Sequence, residues 1–140
     1  QARRGQLCYL AMVDADYFKA VNDTHGHVAG DAALCAIAEV LRRDTREGDL
    51  VGRLGGEEFA VLMPATDADV AGQVAERLRA GVAALALHHD AVPIRLTVSI
   101  GVAASVGTDL KQLLTEADAA LYQAKNGGRD RVCRSGTLPP

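Results

Sequence analysis

The sequence predicts an α/β fold, a mixed central β-sheet with surrounding helices. Three observations carry this. Residues 7–13 form an unbroken apolar run of strand length. Two further strand-like runs, 49–54 and 59–63, flank Gly55-Gly56, and a two-glycine link supplies the positive φ angles of a tight hairpin turn. Between and after these runs, apolar residues recur at helical spacing. Hairpin strands mixed with helical crossovers give a sheet covered by helices.

Each element follows in order. The first strand, 7–13, ends in Asp14-Ala15-Asp16. A short helix is expected over 17–24, broken by Gly26. A longer one follows over about 30–46, with Leu34, Ile37, Ala38 and Leu41 on one face. The hairpin comes next and ends at Pro64. A third helix is expected from Asp67 to about Leu87, with Val70, Val74, Leu78 and Val82 inward and Thr66 or Asp67 as N-cap. Residues 94–103 read as a strand in which Leu96, Val98 and Ile100 alternate with Arg95, Thr97 and Ser99. A fourth helix, 109–125, buries Leu110, Leu113, Leu114, Ala117 and Leu121, and Gly127-Gly128 ends it. Residues 131–133 form a short last strand. One domain over 1–134 is expected, with 135–140 a disordered tail.

Composition narrows the function classes. A chain of 140 residues with 49% hydrophobic residues buries the core of one domain. A net charge of -3 argues against a nucleic-acid binder, which carries a basic stripe. No apolar run approaches ~18 residues, so no membrane contact is expected from this domain. Cys8, Cys35 and Cys133 are far apart and form no Cys-x-x-Cys pair, which disfavours zinc and fits a reduced, cytoplasmic compartment. His25 and His27 lack the further ligands of a zinc site. His88 and His89 are expected to be solvated near a helix end.

The chemistry concentrates at the strand ends. The first strand delivers Asp14, and the hairpin delivers Glu57 and Glu58. Convergent carboxylates repel one another unless a cation joins them, and oxygen-only ligands suit Mg²⁺ or Mn²⁺ with substrate phosphates completing the shell. Asp14 alone also reads as an exposed strand-end acid, and Glu57 and Glu58 as a solvated hairpin tip. Lys19 lies one helical turn beyond Asp14, while Lys125 and Arg129 flank the glycines after the last helix. Phosphate oxygens call for such cationic donors. Lys125 taken singly also suits a helix C-terminus.

Four motifs in register now identify a resemblance. The run from Asp14 through Tyr17, Phe18, Lys19, Asn22 and His27 to Asp31 resembles the first signature of the GGDEF-domain diguanylate cyclases. Gly55-Gly56-Glu57-Glu58-Phe59 resembles their name-giving motif in its Glu form. Ser99-Ile100-Gly101 and the stretch from Ala117 to Arg129 resemble their later signatures. The resemblance covers nearly the whole chain. It implies a fold like that of nucleotidyl cyclases and polymerase palms, and condensation of two GTP into cyclic di-GMP plus two pyrophosphates.

The same resemblance implies the residue roles. Asp14 and Glu57 would hold Mg²⁺ (or Mn²⁺) through carboxylates and Ala15 through its backbone carbonyl. Glu57 would accept the proton of the attacking 3′-hydroxyl, with Glu58 needed beside it. Lys19 would stabilise phosphate charge, and Lys125 and Arg129 would hold the terminal phosphates. Backbone amides near Tyr17 and Phe18 would add donors. Asn22 and Asp31 would read guanine, with His27 beside them. Asp31 also reads as a cap of the helix that follows it. Arg46-Glu47-Gly48-Asp49 fits the family's Arg-x-x-Asp inhibitory motif, with Arg77 joining it, and otherwise reads as a solvated charge pair.

Two facing copies are implied, because each 3′-hydroxyl attacks the other nucleotide's α-phosphate. A fused sensory or receiver domain is expected in the full protein, which could itself be membrane-anchored. The family's Asp-x-Leu-Thr-x-Leu-x-Asn-Arg segment does not precede the first strand, so the sequence reads as a trimmed fragment or an unusual member, and dimerisation and full activity are the properties in question. A catalytically silent cyclic di-GMP receptor is the alternative, and the intact Asp14, Glu57, Glu58 and Lys19 speak against it. A purely structural domain has no use for the acids.

Overall fold

The computed structural model describes residues 7–107 and 109–136. The leading six residues and the end of the expected tail, 137–140, lie outside the described residues. The chain runs β1 (Leu7–Ala15), α1 (Phe18–His25), α2 (His27–Asp44), β2 (Leu50–Gly55), β3 (Glu58–Thr66), α3 (Ala68–Ala83), β4 (Leu87–His89), β5 (Val92–Ile94), β6 (Val98–Ala104), α4 (Leu110–Asn126) and β7 (Arg131–Arg134).

The central sheet has five strands in the order β2-β3-β1-β6-β7. β1 runs antiparallel to both neighbours, and β7 lies parallel to β6, so the sheet is mixed as expected. Side chains alternate across β1, and both faces are apolar. Tyr9, Ala11 and Val13 join the larger core, built with Ile37 and Leu41 of α2 and Val74 and Leu78 of α3. Leu10 and Met12 face the other way and pack with Leu113, Ala117 and Leu121 of α4. The sheet is therefore sandwiched. Its central strand is buried from Tyr9 to Ala15, which fixes the register at its C-terminal end. Among the described residues no helix is long and apolar enough to cross a membrane.

Several boundaries differ from expectation for physical reasons. α2 starts at His27 rather than Gly30, because Gly26 at φ 91° lets the chain turn straight from one helix into the next. Asp31 therefore stands inside α2 and is not its cap. α3 is capped by Asp67, whose carboxylate accepts from the Val70 amide at 2.9 Å. It stops at Ala83, short of the expected Leu87. The chain then makes a small separate hairpin, β4 paired with β5, turning at Asp90 and Ala91 with φ 50° and 65°. His88 and His89 belong to that hairpin, not to a helix end. β6 begins at Val98 and is buried on both faces, so Ser99 lies inside and not on a polar face.

The name-giving hairpin is shifted by one residue. Gly55 pairs with Glu58 as the last residue of β2, so the turn is Gly56-Glu57. Gly56 carries φ 47° there. Glu57 thus sits in the turn itself and Glu58 opens β3.

Candidate active site

The C-terminal end of β1 positions the site. Asp14 stands opposite Glu58 on β3 and opposite Ser99 on β6. The Ala15 amide donates to the Glu57 carbonyl at 3.2 Å, which ties the hairpin turn to the strand end. The expected convergence of Asp14 with Glu57 and Glu58 is therefore built by strand register. Asp14 is buried, and Lys125 Nζ donates to its Oδ2 at 2.5 Å from the last turn of α4.

The acids feel one another. Burial first, then the Asp14 charge and a hydrogen bond to Asp14, push the Glu57 carboxyl above its usual range, while Lys125 pulls it back. Glu58 is raised by burial, then by Asp14 and by Asp118 of α4. Crowded carboxylates of this kind favour protonation or a cation. Among the described residues no three His, Cys, Asp or Glu side chains form a ready metal cage. Two hard carboxylates beside a backbone carbonyl fit an ion such as Mg²⁺, which takes its remaining ligands from water and phosphates.

Asp16 was not singled out by the sequence, and it is the most heavily bonded acid here. Its side chain is fully buried. Oδ1 accepts from Ser99 Oγ at 2.6 Å, and Oδ2 accepts from Thr97 Oγ1 at 2.7 Å and from the Asp130 amide at 3.0 Å. Arg129 Nη1 lies 3.8 Å from Oδ1, and its guanidinium stacks over the Tyr17 ring at 4.6 Å. Tyr17, Arg129 and Asp130 all hold left-handed backbone, with φ 54°, 65° and 46°. Each such non-glycine residue costs about 1–2 kcal/mol. The available signal was an acid two residues past Asp14, at the end of a strand otherwise buried.

The remaining expected residues are placed as follows. Lys19 pairs with Asp23 at 2.7 Å, both largely exposed. Phe18 is half-buried and packs against the core. Asn22 keeps Oδ1 buried without a hydrogen-bond partner, beside Gly30, where a Cβ would stand 1.8 Å from that oxygen. His27 and Asp31 are exposed on α2. Asp31 opens onto a recess of about 430 Å³ lined by Leu34, Cys35, Arg42, Arg53 and Phe59. Arg53, also missed, donates twice to the Gly56 carbonyl, at 3.0 and 2.6 Å, and braces the turn that carries Glu57.

The Arg46–Asp49 pair stands apart from this cluster. Arg46 Nη2 meets Asp49 Oδ1 at 2.9 Å, and the Asp49 side chain is 1% exposed. Arg46 also reaches Thr66 Oγ1 at 3.2 Å and the Pro64 carbonyl at 3.5 Å. Arg77 donates to the Asp44 carbonyl at 2.9 and 2.7 Å, across from the end of α2. The solvated-pair reading of Arg46 and Asp49 does not hold, because the carboxylate is enclosed.

Mutually repelling acids at a sheet end, with basic groups opposite, are suited to a polyphosphate and its cation, so the class is that of nucleotide-handling α/β domains. Residues 1–131 match the family model described as diguanylate cyclase, GGDEF domain. The chain is 46% identical over 131 residues to diguanylate cyclase DgcP of Pseudomonas aeruginosa, covering 93% of this chain and 20% of that protein. It is 48% identical over 124 residues to diguanylate cyclase DgcM of Escherichia coli K12, covering 88% and 30%. The solved GGDEF domain of DgcB from Caulobacter crescentus, in complex with c-di-GMP, aligns with TM-score 0.88 at 36% identity over 96% of this chain and 81% of that one. The chain belongs to the diguanylate cyclase GGDEF-domain family. It spans about a fifth to a third of the length of the curated relatives it matches.

Proposed function

We propose that this chain is the catalytic domain of a diguanylate cyclase, which condenses two GTP into cyclic di-GMP and two pyrophosphates. The observation that carries the reading is the register-built apposition of Asp14 with Glu57 and Glu58, held beside Lys125. A carboxylate whose affinity for a proton is raised by burial and by Asp14 is suited to accept the 3′-hydroxyl proton, and Glu57 is that group. Mg²⁺ or Mn²⁺, held by Asp14, Glu57 and the Ala15 carbonyl, would polarise the α-phosphate. Lys125 and Arg129 hold the terminal phosphates, Lys19 swings from Asp23 to phosphate charge, and amides near Tyr17 and Phe18 add donors. Asn22, with its unsatisfied Oδ1, and Asp31 read guanine, with His27 beside them. The recess at Asp31 has room for a purine.

Each domain holds one GTP, so two copies face each other for reaction. The greater length of the relatives supports a longer natural chain carrying a sensory or receiver part. Arg46, Asp49 and Arg77 form the product-inhibition site: the Arg46 fork grips a guanine edge or phosphate, and Asp49, both of whose oxygens now accept from Arg46, accepts from guanine once that pair opens.

The test is GTP turnover with Mg²⁺ on protein stripped of nucleotide. Cyclic di-GMP is followed by chromatography across a protein dilution series, with Glu57→Ala as control. Product that depends on Glu57 and rises faster than linearly with protein is expected. No product at high protein concentration would refute the reading, and tight cyclic di-GMP binding in that case would mark a receptor.

A further inference from the structure

We propose that Asp16 is the positioning residue for the phosphate end of the site, fixing Arg129 through the Asp130 amide, its own charge and the Tyr17 ring. The inference rests on the proposed role of Arg129 toward the terminal phosphates.

The geometry is specific. Asp16 is buried at the end of β1, yet it is bonded to three other places: Thr97 before β6, Ser99 within it, and the turn after α4. That turn is strained at Arg129 and Asp130, and strain persists only where surrounding contacts over-determine it. Asp16 supplies one anchor through the Asp130 N–H. Arg79 of α3 supplies the other, meeting the Asp130 carboxylate at 2.7 Å. The guanidinium of Arg129 is then laid between Asp16 at 3.8 Å and the Tyr17 face at 4.6 Å. Tyr17 is itself held in left-handed backbone, and the residue is 65% exposed.

A guanidinium has five donors in a rigid fork, so one held this way keeps donors for an anion and loses little freedom on binding. The Ser99 and Thr97 hydroxyls and the Asp130 amide occupy the Asp16 oxygens, so Arg129 is held beside the carboxylate without a close pair. The acid orients the arginine from 3.8 Å instead of consuming it.

The experiment compares binding of 3′-deoxy-GTP and 3′-deoxy-GMP with Mg²⁺; neither carries the attacking hydroxyl, so no condensation intervenes. Asp16→Asn keeps shape and acceptor oxygen but removes the charge. It should weaken the triphosphate about tenfold and the monophosphate less than about twofold, the size expected for losing a charge-assisted contact. In an Arg129→Ala background the same change should alter triphosphate affinity by less than about twofold.

Equal weakening of both nucleotides would mean a merely structural acid and overturn the proposal. So would losses that multiply in the double variant. Wild type that separates the two nucleotides while Asp16→Asn matches it overturns this proposal alone. Wild type that binds neither overturns the functional reading and this one with it. Should Asp16→Asn fail to fold, Tyr17→Asn decides: asparagine tolerates positive φ, the position is exposed, and the triphosphate-to-monophosphate ratio must fall. An unchanged ratio there overturns the proposal.

Discussion

Replacing Gly101 by alanine tests how tightly the sheet and α4 are coupled. Gly101 lies in β6 between Met12 of β1 and Cys133 of β7. A Cβ there would stand 2.1 Å from the Leu121 amide nitrogen, 2.3 Å from the Ala117 carbonyl oxygen and 2.7 Å from the Leu121 Cα. All three are backbone atoms of α4, so no rotamer change relieves the clash. Ordinary contact begins near 3.4 Å, and the helix must retreat by more than an ångström. Overpacking costs about 1–3 kcal/mol, here at the upper end because no flexible side chain gives way. Alanine recovers about 0.5–1 kcal/mol of backbone entropy in a strand. The net loss is about 2–2.5 kcal/mol, a fall in Tm of about 6–10 °C for a chain of this size. Lys125 lies one turn beyond Leu121 and bonds Asp14, so turnover per folded molecule should also fall. Denaturant unfolding and GTP turnover on the same preparation measure both. Stability within about 0.5 kcal/mol of wild type would refute the close-packing argument.

Other perturbations separate stability from function. Gly30→Ala pushes on Asn22 Oδ1 from 1.8 Å, but that neighbour is a side chain that can move, and alanine suits a helix by about 1 kcal/mol. Stability should change by less than about 1 kcal/mol while the KM for GTP rises several-fold; an unchanged KM would place Asn22 outside the base site. Glu57→Gln should abolish turnover yet raise Tm by about 1–3 °C at pH 7 in EDTA. The folded carboxyl holds its proton more tightly than an unfolded one of about 4.5. Its penalty is therefore absent below that value, grows as pH rises from it and is complete only above the raised folded pKa. The gain should vanish near pH 4, and a gain persisting there would point to another cause. Arg46→Ala strips the enclosed Asp49 of its guanidinium and should cost about 1–3 kcal/mol. It should also weaken cyclic di-GMP binding, and intact affinity in folded variant would remove the product site from this pair.

What the sequence made readable was whatever repeats. The apolar stripes of α2, α3 and α4 and the unbroken run of β1 follow from burial and appear close to where periodicity placed them, except Leu110, which was expected inward but stands 63% exposed at the first turn of α4, before the helix reaches the sheet. What it hid depends on single positions. The β4–β5 hairpin turns on Asp90 and Ala91 in left-handed backbone, and neither residue advertises that conformation as glycine would. Gly55-Gly56 looked like the turn, yet the strand keeps Gly55 and the turn takes Glu57. Asp16 and Ser99 carry no periodic mark, because their partners are 83 residues apart in the chain and meet only across the finished sheet. Lys19, expected from its spacing beyond Asp14 and from the resemblance, forms a surface pair with Asp23, which no periodic pattern in the sequence announced.

The distribution of rigidity across the site has a consequence for how it works. Asp14, Asp16 and Lys125 are buried or bonded in the sheet sandwich, so the end proposed to take the metal and phosphates is fixed before any ligand arrives. Lys19, His27 and Asp31 stand on exposed helix faces, unenclosed by the fold. Pre-organised charges cost no reordering at the moment of reaction, whereas mobile groups lose conformational entropy when they close on a base. The two ends should therefore respond differently to substitution. Changes at the sheet end should act mainly on kcat and on stability together, since the same contacts hold fold and chemistry. Changes on α1 and α2 should act mainly on KM with stability nearly constant. Charge removal at Lys19, 88% exposed and paired at the surface, is the sharpest case: its pair with Asp23 contributes little to folding, so Lys19→Ala should leave stability nearly unchanged while the KM for GTP rises if Lys19 meets the phosphates, and an unchanged KM would remove it from the site.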